Sequence, residues 1–499
     1  MTMSFPPNHP VMYEINTRCW LRELSSKSGR PIDLSNVPEP EFTRWRNVGF
    51  THIWLMGSWT AGPLSRDRSQ PRQDQLLRYV EVLPDCKEEE VVGSPYAIVA
   101  YRVPEGLGGE PGLKKFRQRL AAHGLKLILD FVPNHVGLNH PWVRERPNFF
   151  VQKTQETPET FPVETPSGMR WFAHGKDPNF PAWEDTAQLE YRNPNTHTAM
   201  IELLHSLLAR CDGVRCDMAM LLLTDVFAET WHDFPSPAPA DPVEFWTTAI
   251  RSAKEARPDF LFLAEVYWDL EARLQSLGFD YTYDKRLYDY LVYRNFPEAI
   301  RHLKNLSPEF INASAHFLEN HDEPRIASIL NLPEHRAAAL SILGLPGLRF
   351  LHEGQLVGAR LRTPVQLARR PDEPVQPDIA EMYEKLLAAL QGGAVGRDKG
   401  EVLKPRSAWP ENPTADNYLI VQWQLVPGEF DLVVVNFAAH RSQCYAPLTI
   451  PNLLQHNWRL SDLLGDETHE RRGDDLQNHG LYLDTPAHGA LLFHCRPVI

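Results

Sequence analysis

The chain is poor in cysteine, and none of its six, Cys19, Cys86, Cys211, Cys216, Cys444 and Cys495, belongs to a CxxC pair. That argues against the common zinc and dithiol motifs and leaves buried thiols in a reducing cytoplasm as the expected state. Positive charge is also short, since 51 Lys and Arg face 64 Asp and Glu for a net charge of -13, with no basic run. Such a balance repels phosphate backbones and anionic headgroups, so neither a nucleic-acid nor a membrane partner is expected. No stretch of about 18 apolar residues exists. The N-terminus, MTMSFPPNHPVMYEINTRCW, lacks a basic segment followed by an apolar one. The expectation is a soluble, cytoplasmic protein without an export leader. No short-period repeat is present, which argues against solenoids and propellers, and no feature specifies an oligomeric state.

What the sequence does have is alternation. Short β-rich runs, VMYEINT (11–17), THIWLM (51–56), LKLILDF (125–131), DGVRCD (212–217), FLFLAEV (260–266), GFDYTY (278–283), INASAHFL (311–318) and GLRFLH (347–352), are separated by helical patterns. In PGLKKFRQRLAAHG, Pro111 starts a helix, Leu113, Phe116 and Leu120 share a face, and Gly124 stops it. The segments 193–210, 241–256, 333–344 and 378–390 behave alike. Eight strands with intervening helices predict an α/β fold, a closed (β/α)8 TIM barrel. Two connections, 57–110 and 136–192, are too long for simple loops and should rise over one face. The second contains FFVQKTQETPETFPVETPSGMRWF, whose Pro, Thr and Glu content suggests a small irregular subdomain or lid. After about residue 395 the texture becomes strand-rich and turn-rich. The expected domains are barrel at 1–135 and 193–395, an inserted subdomain at 136–192, and a β domain at 396–499.

Residues at the C-terminal ends of barrel strands share one site, and here those ends carry carboxylates. The third strand ends in Asp130 and leads to Asn134 and His135; the fourth carries Arg215 and Asp217 on one face; the fifth ends at Glu265; the seventh runs into Asn320, His321 and Asp322. A lone strand-end carboxylate often caps a helix, but four strands delivering one each point to chemistry. Glycoside cleavage uses such a set, one carboxylate ionised and one protonated. Arg215 favours ionised Asp217, whereas Val266, Tyr267 and Trp268 give Glu265 an apolar setting that keeps it protonated. Cys216 alternates with Arg215 and Asp217 along the strand, so its thiol should point away from them.

DFVPNH (130–135), DGVRCD (212–217), AEV (264–266) and ENHDEPR (319–325), in that order, resemble the conserved regions of the α-amylase superfamily, glycoside hydrolase family 13. YEINTRCW and PGLRFLHEGQLVG resemble its first and eighth strand regions, and the C-terminal strands its β-sandwich. The resemblance implies Asp217 as a nucleophile that forms a covalent glycosyl intermediate and Glu265 as the acid/base. It implies Asp322 as the holder of sugar hydroxyls at the transition state, Arg215 as the residue orienting Asp217, and Asp130 as the partner of Arg215. His135 and His321 would hydrogen-bond the sugar, with Tyr96, in GSPYAIVAY, as the aromatic platform beneath it. Packing is the expected role of Trp59, Trp142, Trp171 and Trp183, with lining of the cavity mouth as the alternative. No cofactor is required, although the family's calcium site makes Asn134 a possible ligand.

Three positions depart from the family pattern. Met220 and Leu221 stand where many α-amylases have a Lys-His pair that contacts acceptor sugars, and Glu190 in DTAQLEY replaces a frequent Asn. Arg325, outside these departures, is expected to pair with Glu323 or Glu319, with an anionic acceptor group such as phosphate or a carboxylate as the alternative. The expected function is retaining hydrolysis of short α-linked glucosides or malto-oligosaccharides, with a small carbohydrate as the partner. A transglycosidase, isomerase or phosphorylase using the same site is the alternative, followed by a non-catalytic carbohydrate-binding relative.

Overall fold

The computed structural model describes residues 9–69, 73–235, 243–424 and 428–498. The readings of residues 1–8 and of the start of the helix at 241–256 fall outside that set. Eight parallel strands close into a barrel: β1 (Val11–Asn16), β2 (His52–Met56), β3 (Lys126–Phe131), β4 (Gly213–Cys216), β5 (Leu261–Ala264), β6 (Tyr281–Tyr283), β7 (Ser314–His316) and β8 (Leu348–His352). Each lies next to its sequence neighbour, and β8 closes on β1. In register, Arg215 faces Asp130 of β3 on one side and Leu263 of β5 on the other, while Glu14 of β1 faces Trp54 and His352. This pairing brings the chemical residues of distant segments to one end.

The helices form where an apolar stripe meets a cap. Asn193 accepts from the Asn195 N–H ahead of the helix Pro194–Leu208, and Asn331 with Glu334 makes a reciprocal capping box for the helix Leu332–Gly344. In the helix Gly109–Ala122, Leu113, Phe116 and Leu120 are buried as the spacing predicts, and Gly124 at φ +72° reverses the chain.

The segment after β3 corrects the expectation of an irregular subdomain or lid. Thr160–Thr165 and Gly168–Ala173 pair as an antiparallel hairpin, with Gln152–Lys153 on its other edge. Gly168 at φ +98° permits the two-residue turn. Pro162 is tolerated because its strand is an edge, with no further neighbour to receive an N–H. A second pair, His135–Gly137 with Thr186–Gln188, ties the two ends of the insertion together beside the barrel mouth.

The C-terminal part is a sandwich of antiparallel strands. A six-stranded sheet, in the order 399–403, 418–424, 430–436, 490–498, 457–462 and 468–472, faces a three-stranded one of 406–407, 442–446 and 481–485. The two faces of the large sheet are apolar in different directions. Tyr418, Ile420, Leu432 and Val434 pack inside the sandwich, whereas Leu419, Val421, Trp423, Val433 and Val435 join the core of the barrel. Period-two alternation thus fills two cores, and Trp423 Nε1 donates 2.8 Å to the Gly344 carbonyl at the end of a barrel helix.

Candidate active site

A cavity of about 890 Å³ opens over the C-terminal ends of the strands and is lined by Tyr96, His135, Asp217, Glu265 and Asp322. Arg215, Asp130 and His321 lie buried among them. Of the expected residues, Tyr96, His135, Asp217, Glu265 and Asp322 stand in the cavity wall, Arg215, His321 and Asn134 contact wall residues from behind, and Asp130 lies one layer deeper.

Arg215 is the centre. Its Nη1 is 2.6 Å from Asp217 Oδ1 and its Nη2 is 2.7 Å from Glu265 Oε2, with only 1% of its side chain exposed. The sequence pointed to the first contact and missed the second. Asp130 is more distant, 3.9 Å from Nη1. Its carboxylate instead accepts from Trp54 Nε1 at 3.1 Å and from the Gly57 N–H at 2.8 Å. Asp130 therefore anchors the chain after β2 more directly than it orients Arg215.

One guanidinium serves three buried carboxylates, and an uncompensated buried charge is costly, so a proton is retained among them near neutrality. Burial is the largest influence on each. It lifts Glu265 to about 7, against the pull of Arg215 and with the repulsion of Asp217. It lifts Asp130 to about 6, again opposed by Arg215. Asp217 is also raised by burial, and the Arg215 charge together with its hydrogen bond limits that rise. The Glu265 carboxylate accepts from the Met218 N–H and from the Tyr267 hydroxyl, each at 2.8 Å. Met218 sits at φ +43°, a left-handed conformation that is sterically unfavourable for a side chain with a Cβ and that turns its N–H toward the acid.

A second cluster faces the same cavity. His321 Nε2 lies 2.9 Å from Asp322 Oδ2 and 2.8 Å from the Tyr96 hydroxyl, and the Tyr96 ring stacks on the imidazole at 5.4 Å. Desolvation in the cleft disfavours an ionised Asp322, but its side chain is 48% exposed to the cavity, and the His321 charge holds its carboxyl down at about 2. Burial would likewise discharge His321, but the carboxylates of Asp322 and Glu14 keep its proton well above the usual histidine range. His135 is the opposite case, driven by burial to about 4 and so a neutral ring, 5.0 Å from Trp183.

The donor set around Asn134 fits an amide pair and does not fit calcium. Gln188 Nε2 donates to Asn134 O at 2.9 Å, to Asn134 Oδ1 at 3.0 Å and to Leu189 O at 3.1 Å, while Asn134 Nδ2 donates back to Gln188 Oε1 at 3.2 Å. An amide nitrogen stands among oxygens that a hard cation would need, and such a cation takes about six to eight. Among the described residues no group of three or more His, Cys, Asp and Glu side chains is placed to hold a metal.

The departures find their places. Met220 and Leu221 are buried in the turn after Asp217, Glu190 is locked to Arg192 at 2.6 Å, and Arg325 pairs with Glu319 at 2.7 Å. Trp59 packs as expected, donating to the Asp130 carbonyl at 2.7 Å, but Trp183 lines the cavity. Residues that sequence reasoning did not place in the wall include Phe180, 68% exposed, and Trp268, 39% exposed at φ +64°. Trp268 could have been found from its position three residues after Glu265; nothing in the pattern around Phe180 marks it.

The family model for the alpha amylase catalytic domain matches residues 93–399. Alpha-amylase 3 of Dictyoglomus thermophilum is 20% identical over 390 residues, covering 72% of this chain and 66% of that protein. Maltase 1 of Drosophila virilis is 25% identical over 295 residues, 47% of this chain and 45% of that protein. The chain thus spans less than two thirds of the length of these curated relatives. The crystal structure of a noncanonic maltogenic alpha-amylase AmyB from Thermotoga neapolitana superposes with a TM-score of 0.67 at 17% identity, covering 98% of this chain and 99% of that one. With the family model spanning the barrel from before β3 to the first C-terminal strand, the chain belongs to the α-amylase family.

Proposed function

We propose that this protein is a retaining glycosidase of short α-linked glucosides or malto-oligosaccharides. The observation that carries the reading is one buried guanidinium shared by two carboxylates in unlike settings, Asp217 hydrogen-bonded to the cation and Glu265 lifted to about 7. An acid poised near neutrality beside a paired carboxylate is what double displacement requires. An Asp217 oxygen attacks the anomeric carbon as the glycosidic C–O bond breaks, and the proton of Glu265 passes to the leaving oxygen. Water then attacks the glycosyl-Asp217 ester, Glu265 takes its proton, and Asp217 leaves as carboxylate with the α-configuration restored. Asp322 and His321 grip sugar hydroxyls, and the Tyr96 ring meets the C–H face. Six unpaired cysteines support a reducing, cytoplasmic setting.

A second reading, transfer to a sugar acceptor, is favoured by the exposed rings of Phe180 and Trp268 in the cavity wall, which offer stacking faces to an incoming sugar. The test is product analysis on a panel of α-linked disaccharides and maltotriose by proton NMR, with native protein, Asp217→Ala and Glu265→Ala, each with and without azide. Native protein should release the α-anomer first. Asp217→Ala with azide should give the β-glucosyl azide and Glu265→Ala the α-glucosyl azide. Native protein without turnover of any substrate, or with a β-anomer as first product, would overturn the proposal, whereas larger oligosaccharides as main products would favour transfer.

A further inference from the structure

Glu14 is the most enclosed carboxylate near the cavity. It lies in the middle of β1, fully buried, with its Oε1 hydrogen-bonded to His321 Nδ1. Its Oε2 has no hydrogen-bond donor, and the nearest ring nitrogen on that side, His352 Nε2, is 3.9 Å away. Glu14 is not among the residues that line the cavity, so it acts on substrate only through another residue.

Each ring nitrogen of His321 faces a carboxylate, Nδ1 that of Glu14 and Nε2 that of Asp322, and Nε2 also meets the Tyr96 hydroxyl at 2.8 Å. Burial opposes a charge on the ring, but the two carboxylates hold its proton well above the usual histidine range, so a hydrogen points at each of them. An imidazolium is stabilised between two carboxylates, and removing either negative charge weakens the hold on its second proton. We infer that Glu14 is a positioning residue: its carboxylate anchors the His321 imidazolium, which in turn fixes and keeps ionised the Asp322 carboxylate that faces the sugar.

The surroundings leave Glu14 as the partner that does this. His321 is faced by Asp322 on its own loop, Tyr96 from the connection after β2, Trp54 from β2, Asp130 from β3, Asp217 from β4 and His352 from β8. Asp130 and Asp217 are committed to Trp54, Gly57 and Arg215, and His352, with the Arg325 guanidinium 2.8 Å from its Nδ1, is held neutral by burial and that charge. Among the described residues Glu14 and Asp322 are the carboxylates that bond the ring, and Tyr96 adds a neutral hydroxyl.

The inference rests on the reading of Asp322 and His321 as the pair that grips the sugar, and the experiment separates the two. Glu14→Gln keeps the shape and an acceptor for Nδ1–H but removes the charge. In the full chain labelled with 15N histidine, the His321 ring should stay doubly protonated well above the usual histidine range in the native protein and should titrate at lower pH in Glu14→Gln. The ratio of variant to native kcat/KM should fall to about one tenth at pH 8 and recover to within about threefold at pH 5. Glu14→Asp, which keeps the charge, should restore a flat ratio. Identical His321 titrations in native protein and Glu14→Gln, or a kcat/KM ratio independent of pH, would sink the inference. Absence of turnover by native protein would overturn the proposed function instead, while the histidine titration would still decide the role of Glu14.

Discussion

Arg215 donates 2.6 Å to Asp217 through one arm of its guanidinium and holds Glu265 at 2.7 Å with the other, so the two carboxylates titrate against a shared cation. The catalytic sign follows from which form reacts. In the proposed double displacement Glu265 enters as an acid, so activity should be lost as pH rises through its ionisation at about 7; Asp217 enters as an anion, so activity should be lost as pH falls through its own. The expected kcat/KM profile is a bell with its alkaline limb near 7. Asp217→Asn removes a like charge beside Glu265, so the Glu265 carboxyl should titrate at lower pH in that variant, as read by 13C NMR. An alkaline limb above about pH 9, or a Glu265 ionisation that stays put in Asp217→Asn, would contradict this assignment.

Tyr96 joins the two halves of the site, with its hydroxyl on His321 and its ring in the cavity wall. Tyr96→Phe keeps the ring and removes one hydrogen bond, so kcat/KM should drop about tenfold, or roughly 1.4 kcal/mol. Tyr96→Ala also removes the stacking face and should cost about a hundredfold. Equal losses for the two substitutions would mean that the ring contributes nothing to substrate binding.

The strands that build this site were legible because each is a short apolar run ending in a polar residue. The run GVRC places Arg215 on the inner face, and Val214 and Cys216 alternate with it; both are fully buried. The same alternation sorted the C-terminal strands. What escaped is whatever depends on depth or partner choice. Pattern puts Glu14 on the inner face of β1 but does not say that His321, 307 positions later, will meet it. The hairpin at 160–173 was hidden by its Pro and Glu content, since Pro is read as a breaker unless the strand is known to be an edge. Gln188 gave no signal at all, because an amide pairing with Asn134 needs only proximity.

That amide pair has a consequence for metal dependence. With Gln188 Nε2 between Asn134 O, Asn134 Oδ1 and Leu189 O, these three oxygens already accept hydrogen bonds from an amide. We expect EDTA to leave both the thermal midpoint and the rate of native protein unchanged. Gln188→Ala should destabilise by about 1–3 kcal/mol, since it leaves buried acceptors unpaired. A fall in thermal midpoint on chelation, reversed by calcium, would refute the amide reading.

The junction between barrel and sandwich depends on a missing side chain. Gly344 ends the helix Leu332–Gly344, and a Cβ there would meet Val433 Cγ1 at 2.7 Å and Cγ2 at 2.8 Å. Val433 cannot retreat, because its strand is flanked on both sides within the large sheet. Gly344→Ala should therefore cost about 1–3 kcal/mol through overpacking, despite the better helix propensity of alanine. Val433→Ala alone should also destabilise, by opening a cavity. The two together should cost less than their sum by about 1–2 kcal/mol, because each relieves the other. Thermal unfolding of the four proteins measures the coupling; strict additivity would show that the helix and the sheet do not press on each other at this point.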